Sequence, residues 1–212
     1  IRLVQPGFIE SDFVKRTVLL FGKRCILSFS TVVSAATEGL AVEFVHVEAD
    51  VSNGLPVFHM VGYLASEVKE AGERVRTAIK NSGFDFPAKR TVINLSPATM
   101  RKRGASFDLP IAVAVLTALG ELSGSRIQNT LIIGEMGLDG SVRKVPGILP
   151  IVAEAKERGV RRCIVPEENK AEAALVSEMQ VIGVKDLKET IEFLKSGSKP
   201  QKVQQTGSVQ ER

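Results

Sequence analysis

The stretch GASFDLPIAVAVLTAL, residues 104–119, decides how this chain folds. It opens with a glycine-containing turn, and Asp108 follows where the free backbone N–H groups of a helix start need an acceptor, so we predict that Asp108 caps this helix. Pro110 is tolerated in the first turn because no intrahelical donor is needed there. Nearly every side chain from residue 109 to residue 119 is apolar, which predicts a helix buried on all sides.

The chain after this helix alternates between strand and helix patterns. Apolar strand runs are separated from helical segments by turn signals such as Asp139-Gly140. The predicted strands are 130–134, a short strand ending at Val145, 162–165 and 181–184, and the predicted helices are 146–158, 168–177 and 187–195. This alternation favours parallel strand pairing, with helices packed on the sheet.

Strand patterns dominate the chain before residue 64. The side chains of residues 42–49 alternate between two mostly apolar faces, and His46 is expected to fill a half-buried position there. Asn53-Gly54 is a strong turn signal, so we predict a hairpin between this strand and residues 57–63, where His59 has the same structural role. A further buried strand is predicted over residues 90–95.

One amphipathic helix is predicted between these strands. Ser66 is placed to cap it, and Gly83 is placed to end it. Its charged face includes Glu70 and Arg74, which have the spacing of an i,i+4 ion pair on a solvated helix surface.

Length and composition are typical of one globular domain. The chain has 212 residues, of which 44% are hydrophobic and 25% charged, so it can bury a substantial core. Its net charge of +4 is compatible with nucleic-acid binding but is also common in proteins that bind none. Cys25 and Cys163 are far apart and form no CxxC motif, so neither a disulfide framework nor a zinc site is indicated, and a cytoplasmic location is expected.

The sequence lacks the motifs of the common nucleotide sites. A P-loop needs GxxxxGK followed by Ser or Thr, because its backbone N–H groups surround the phosphates while the Lys and hydroxyl reach phosphate and magnesium. Neither this string nor GxGxxG occurs, so the chain is not a complete ATPase. The two histidines, His46 and His59, make a poor metal site, and we expect no metal or cofactor in this chain.

Ser106 is the candidate catalytic residue. It lies just before a helix start, where backbone N–H groups can stabilise an anion. A nucleophilic serine also needs a base, and no histidine is an obvious partner, so a Ser/Lys pair is the only plausible arrangement.

Arg101, Lys102 and Arg103 form the densest basic cluster of the chain. In a loop they could contact phosphates in a salt-sensitive way without reading sequence. The alternative is an ordinary solvated loop, and neither an RNA-binding aromatic motif nor a helix-turn-helix signature favours the DNA interpretation further.

Two consecutive runs carry a resemblance to a known family. They are VEADVSNGLPVFHMVGYLASEVKEAGERVRTAIKNSGFDFPAKRTVINLSPATMRKRGASFDLPIAVAVLTALG, residues 47–120, and GEMGLDGSVRKVPGILP, residues 134–150. They resemble the N-terminal domain of the YifB/ComM family of magnesium-chelatase-like bacterial ATPases. The resemblance implies an α/β (α+β) domain over residues 26–196, with a Lon-protease-like fold related to the second domain of ribosomal protein S5. Residues 1–25 are then an extension of unknown role, and residues 197–212 a linker or tail.

The resemblance also implies a setting for the domain. In the family an AAA+ ATPase module follows it, and ComM members are described as hexameric DNA helicases that promote branch migration in natural transformation. The implied role is a non-catalytic accessory domain, with the AAA+ module as partner in cis or in trans, DNA as a possible partner, homo-oligomers and no membrane. ATP and magnesium are expected for the ATPase module and no cofactor for this chain.

The relation to Lon proteases bears on Ser106. Lon proteases place their serine in a Gly-Pro-Ser-Ala-Gly turn before a buried helix, and Ser106 has the corresponding position. Continuing that register through Gly134-Glu135 puts Leu149 where the lysine of the dyad belongs, and the nearest lysines are Lys144 and Lys156. The resemblance therefore implies an inactive site. A serine hydrolase using Ser106 with another base, and a purely oligomerising domain, remain the alternatives.

Overall fold

A pair of long antiparallel strands lies at the centre of the sheet. The computed structural model describes residues 29–39 and 41–197. The strands are β1 Phe29–Glu38, β2 Ala41–Ser52, β3 Val57–Val61, β4 Arg90–Ser96, β5 Thr130–Ile132, β6 Glu135–Met136, β7 Val142–Arg143, β8 Arg162–Pro166 and β9 Gln180–Val184. The helices are α1 Ser66–Lys69, α2 Ala71–Asn81, α3 Asp108–Ala118, α4 Ile148–Glu157, α5 Lys170–Ala173 and α6 Leu187–Ser196, with 3-10 turns at Gly124–Arg126 and Glu167–Asn169.

Seven strands form one mixed sheet in the order β3-β4-β2-β1-β5-β8-β9. β1 and β2 pair antiparallel, from Phe29 opposite Asp50 to Glu38 opposite Ala41, and β4 is antiparallel to β2. On the other side of β1, the strands β5, β8 and β9 add in parallel. The expected α/β class is therefore confirmed, as is the parallel pairing predicted for the last third of the chain.

The predicted hairpin between residues 42–49 and 57–63 is wrong. β3 pairs with β4 in parallel, and the hairpin of this region joins β1 to β2 instead. Both edges of β2 are occupied, by β1 and β4, so no edge is left for β3. The chain from β3 to β4 passes through α1 and α2, and a helical crossover of this kind is what parallel neighbours require.

The helix predicted from the apolar run is confirmed as the centre of the core. Every residue of α3 is buried. Its polar groups are satisfied, because Thr117 donates its hydroxyl to the Val113 carbonyl at 2.7 Å and Ser30 donates to the Ala114 carbonyl at 2.6 Å. The main core combines α2, α3 and α6, while α4 and α5 contribute to a second apolar cluster that includes Cys163.

Two helices differ from the prediction. The segment expected to run unbroken from Ser66 to Gly83 is divided into α1 and α2, and the residue in the cap position of α1 is Ala65. The Ser66 hydroxyl donates to the Glu67 carboxylate at 3.2 Å rather than accepting from the helix backbone. The helix predicted over residues 168–177 is also short, since only the 3-10 turn Glu167–Asn169 and α5 form there.

Several predictions lie outside the described residues. They concern Cys25, the extension proposed for residues 1–25 and nearly all of the proposed tail at 197–212. Within residues 29–39 and 41–197, none of the helices has both the length and the apolar character that crossing a membrane requires.

Candidate functional site

The turn at residues 104–108 is joined by backbone hydrogen bonds to the segment that precedes β6. Gly134 donates its N–H to the Ser106 carbonyl at 3.0 Å, and its own carbonyl accepts from the Leu109 N–H at 3.0 Å. A Cβ at Gly134 would lie only 3.0 Å from Leu109 Cδ2 and from Val142 Cγ1. Glycine therefore permits this close approach, in which the turn packs directly against the segment before β6.

Asp108 is an ion-pair residue and not a helix cap. Its side chain is fully buried, and its two carboxylate oxygens accept from Arg74 Nε at 2.9 Å and Arg74 Nη2 at 3.0 Å. The N–H of Met136 is 3.4 Å from the same carboxylate. The cap position belongs to Phe107, which makes no side-chain cap bond. The predicted Asp108 cap is wrong. Asp108 lies in the first turn of α3, and its carboxylate is hydrogen-bonded to Arg74 of α2 instead of to the free backbone N–H groups.

Arg74 likewise has a different partner from the one predicted. The i,i+4 pair with Glu70 is replaced by the pair with Asp108, although Glu70 still adds a weaker electrostatic attraction. The hydrogen bond to Asp108 raises the pKa of Arg74, so its charge is secure. Burial raises the pKa of Asp108, and the bonds from Arg74 oppose that rise. The buried carboxylate therefore depends on the guanidinium for compensation.

A second set of bonds joins the turn to α1. Arg74 Nη2 also donates to the Glu67 carbonyl at 3.0 Å, and Glu67 Oε1 accepts from the Gly104 N–H at 3.3 Å. Bonds from its own backbone N–H and from that of Gly104 lower the pKa of Glu67. Both ends of the turn are thus fastened, Gly104 to α1 and Asp108 to α2.

Ser106, the candidate nucleophile, is half-buried within this turn. Its hydroxyl makes no hydrogen bond to any residue of the described ranges 29–39 and 41–197. Lys156, one of the two lysines nearest to the expected position of the base, pairs with Glu178 at 3.2 Å, and Lys144 is exposed. Leu149 lies in the first turn of α4, where its backbone N–H donates to Glu172 Oε1 at 3.2 Å.

The three basic residues before the turn do not face the same way. Lys102 is fully buried, and its ammonium donates to the carbonyls of Pro97 and Met100. Burial lowers the pKa of Lys102. Arg101 and Arg103 are exposed. The expectation that Lys102 contacts phosphate is therefore wrong, and the reason is that alternate side chains of an extended segment point in opposite directions.

The extended conformation of this loop comes from a backbone bridge. The Lys102 N–H donates to the Tyr63 carbonyl, and the Ala65 N–H donates to the Lys102 carbonyl, both at 2.9 Å. The Arg101 guanidinium lies 5.9 Å from the centre of the Tyr63 ring, within the range of a cation–π contact. The exposed fraction of Tyr63 is 53%. Sequence reasoning overlooked Tyr63, although it is the single tyrosine of the chain.

A surface cleft of about 240 Å³ lies beside these arginines. It is lined by Arg101 and Arg103 together with the end of β1 and the following turn, including Thr37, Glu38 and Gly39. We call this space the hairpin cleft.

The two histidines are not where the sequence placed them. His46 and His59 are both exposed rather than half-buried. No group of His, Cys, Asp and Glu side chains in the described part of the chain could hold a metal ion.

Comparison with known proteins shows extended similarity. Residues 47–169 match the family described as subunit ChlI of Mg-chelatase. The uncharacterized protein YifB of Salmonella typhimurium is 44% identical over 152 residues, which are 72% of this chain and 30% of YifB. Competence protein ComM of Haemophilus influenzae is 37% identical over 173 residues, which are 82% of this chain and 34% of ComM.

More distant similarity extends to a protease. A peroxisomal Lon protease homolog 2 of Zea mays is 27% identical over 183 residues, which are 76% of this chain and 20% of that protein. The chain thus spans about a third of the length of the YifB and ComM relatives, and less of the Lon homologue.

Proposed function

Because the chain belongs to the ChlI family of Mg-chelatase-like proteins, together with its relatives YifB and ComM, we propose that it is a non-catalytic accessory domain of an AAA+ ATPase that processes DNA. The observation that carries the proposal is the turn at residues 104–108. Its serine is retained, and the sequence register aligns Leu149 with the lysine that a Lon-like site needs.

The bonds around the turn support an architectural role. The turn is fastened to α1 by Gly104, to α2 by the Arg74–Asp108 pair and to the segment before β6 by Gly134. A general base must come within about 2.6–3.2 Å of the serine hydroxyl. Lys156 is instead paired with Glu178, so the turn holds elements together without an evident base.

The DNA-processing part of the proposal draws on a relative and on charge. One relative is named a competence protein. Taken with the family resemblance, that name supports a role in DNA processing during natural transformation, including branch migration. Exposed Arg101 and Arg103 supply cations that could contact phosphates without reading sequence. The complete protein of this proposal is a cytoplasmic hexamer, whose ATPase module binds ATP and magnesium and contacts this domain in cis or in trans.

A binding titration tests this proposal. The chain, alone and joined to its ATPase module, is titrated with labelled single-stranded and branched DNA at several salt concentrations, and binding is followed by fluorescence anisotropy. We expect association that weakens steeply as salt rises, because each phosphate contact releases counterions. Absence of salt-dependent association in both forms would remove DNA contact from the proposal.

A serine hydrolase is the second candidate, and the position of Ser106 favours it. The residue occupies the place of the Lon serine and precedes the buried helix α3. A serine-reactive phosphonate, with Ser106→Ala as the control, separates the two functions. Labelling of the folded protein that disappears in Ser106→Ala would establish the hydrolase, whereas unlabelled Ser106 supports the accessory domain.

A purely oligomerising domain is the remaining alternative. Deleting the domain from the complete protein and measuring its mass in solution tests this role. A smaller assembly that retains DNA binding would favour oligomerisation over DNA contact.

A further inference from the structure

The hairpin cleft is bordered by two cations on a loop whose middle residue is held by hydrogen bonds. Arg101 and Arg103 flank Lys102, whose buried ammonium donates to the carbonyls of Pro97 and Met100. The backbone of Lys102 is bonded to Tyr63 on one side and to Ala65 on the other. The loop backbone is therefore held from inside, which sets the direction in which its two exposed arginines leave the backbone. Such preorganisation reduces the entropy lost on binding.

Tyr63 lies beside this cleft and contacts one of the residues that line it, Arg101. Its ring is half-exposed, and Arg101 reaches both the ring and the cleft. An aromatic ring beside exposed cations is a combination with which proteins bind single-stranded nucleic acid, because the bases stack on the ring while the cations contact the phosphates. The hydrogen bond from the Lys102 N–H to the Tyr63 carbonyl holds the backbone that carries the ring beside the backbone that carries the arginines.

We infer that Tyr63, Arg101 and Arg103 form a binding site for single-stranded DNA, in which Tyr63 stacks on an unpaired base and the two arginines contact phosphates along the hairpin cleft. The inference rests on the proposed function for the choice of DNA. It goes further by naming the residues and the form of the nucleic acid. A duplex is disfavoured because its bases are already stacked and unavailable to Tyr63.

The size of the cleft agrees with a polymer rather than an enclosed small molecule, and its carboxylates limit the affinity for phosphate. Its volume of about 240 Å³ is below the range of about 300–1,000 Å³ typical of sites that enclose a small ligand. Glu38 also lines the cleft and repels phosphate, and the Glu67 carboxylate lies near enough to Arg101 to interact with it. The site therefore binds modestly and depends on salt.

The composition of the chain offers a direct measurement of stacking. Tyr63 is the only tyrosine, and the chain contains no tryptophan, so tyrosine fluorescence reports this residue alone. The full chain is titrated with an oligothymidylate, and quenching of tyrosine emission is recorded beside the anisotropy of the labelled oligomer. We expect quenching to follow the binding curve. Binding without quenching overturns the stacking contact.

Variants test the two kinds of contact separately. Tyr63→Ala is expected to weaken binding about tenfold, within the range measured for one stacked base, while Tyr63→Phe retains affinity. Arg101→Ala combined with Arg103→Ala is expected to reduce the slope of log K against log salt by about 1.4, since each phosphate contact with a single strand contributes about 0.7. Glu38→Gln is expected to strengthen binding about twofold, as an exposed charge of the wrong sign is removed.

A matched double variant controls for net charge. Arg126 and Arg161 are exposed and lie near β5 and β8, away from the hairpin cleft, and Arg126→Ala with Arg161→Ala removes the same two charges. This variant is expected to retain the wild-type slope of log K against log salt. Equal losses in both double variants overturn the site while leaving DNA binding, and so the proposed function, intact.

Three further ligands, a DNA duplex, an oligouridylate and polyglutamate, test the choice of single-stranded DNA. Tighter binding of a duplex or of an oligouridylate than of oligothymidylate overturns the assignment to single-stranded DNA. Equal competition by polyglutamate shows an unspecific cation patch and also overturns it. No binding of any nucleic acid contradicts both the inference and the DNA part of the proposed function.

Discussion

Arg74 on α2 and Asp108 at the start of α3 form a two-point ion pair, with Nε–Oδ2 at 2.9 Å and Nη2–Oδ1 at 3.0 Å. The carboxylate is fully buried, whereas the guanidinium is about one quarter exposed. The pair joins residues 34 positions apart and fastens the central helix to its neighbour.

Removing the arginine should therefore be costly for the fold. Arg74→Ala leaves the Asp108 charge buried without its partner, and we expect the free energy of unfolding to fall by about 3 kcal/mol, at the lower end of the range for broken buried pairs because Arg74 is partly exposed. Urea denaturation followed by circular dichroism measures this. Arg76→Ala, on the same helix but involved only in a cation–π contact with Phe86, is the control and should lose less than about 1 kcal/mol. Equal losses in the two variants would contradict the importance of the pair.

The buried Lys102 makes the free energy of unfolding depend on pH in a direction that can be predicted. Burial lowers the pKa of Lys102 in the folded state. Between that lowered pKa and the ordinary value of about 10.4, the unfolded chain therefore binds more protons than the folded chain. The contribution of Lys102 to the free energy of unfolding consequently rises with pH in this range. In Lys102→Met the carbonyls of Pro97 and Met100 lose a donor, which we expect to reduce the free energy of unfolding by about 1–3 kcal/mol.

The pH effect of Lys102 is measured as a difference between the two proteins. Urea denaturation at about pH 7 and about pH 10 should show the wild type gaining stability relative to Lys102→Met as pH rises. Titrating groups shared by both proteins cancel in this comparison. A difference that stays constant or shrinks with pH would contradict the lowered pKa.

The Cys163 thiol should be unreactive towards alkylating reagents in the folded protein. Burial raises the pKa of its thiol to about 12, so only about one molecule in ten thousand carries the reactive thiolate at about pH 8. With Cys25→Ser removing the second thiol, we expect an alkylating reagent to modify Cys163 at least about a hundredfold more slowly in buffer than in urea. Mass spectrometry over time measures both rates, and similar rates in the two conditions would show that the site is accessible.

A side chain at Gly134 should destabilise the fold. A Cβ there would lie 3.0 Å from Leu109 Cδ2 and Val142 Cγ1, so Gly134→Ala is expected to lower the free energy of unfolding by about 1–3 kcal/mol through overpacking. Ser106→Ala, in the turn that Gly134 contacts, is the comparison and should change stability by less than about 0.5 kcal/mol. Thermal denaturation of both variants measures these changes. A Gly134→Ala variant as stable as the wild type would show that the turn can move away from the strand.

Some features were predictable because they depend on local pattern. A helical run that is apolar on all sides is typical of a buried helix, and α3 is buried along its whole length. The alternation of strands and helices after residue 130 led to the correct parallel pairing of β5, β8 and β9. The hairpin prediction failed because Asn53-Gly54 reports a change of direction, and which strand then becomes the neighbour depends on the edges still open.

The candidate site was predictable only in part. The motif around Ser106 was visible in the sequence, but Tyr63 was overlooked because its link to Arg101 crosses 38 positions and depends on a backbone bridge. Neighbouring charges in the sequence also suggested a continuous basic patch. The bridge to Leu64 turns the middle residue, Lys102, inward.

The sequence by itself determined the fold class, the family and the burial of α3, because hydrophobic periodicity and motif order are properties of neighbouring residues. Only the tertiary structure decided that Asp108 pairs with Arg74 instead of capping its helix, and that Lys102 is buried while Arg101 and Arg103 face the cleft. The reason is physical. A buried charge takes the partner that the packing of distant elements brings within hydrogen-bond reach, and a linear pattern does not record that distance.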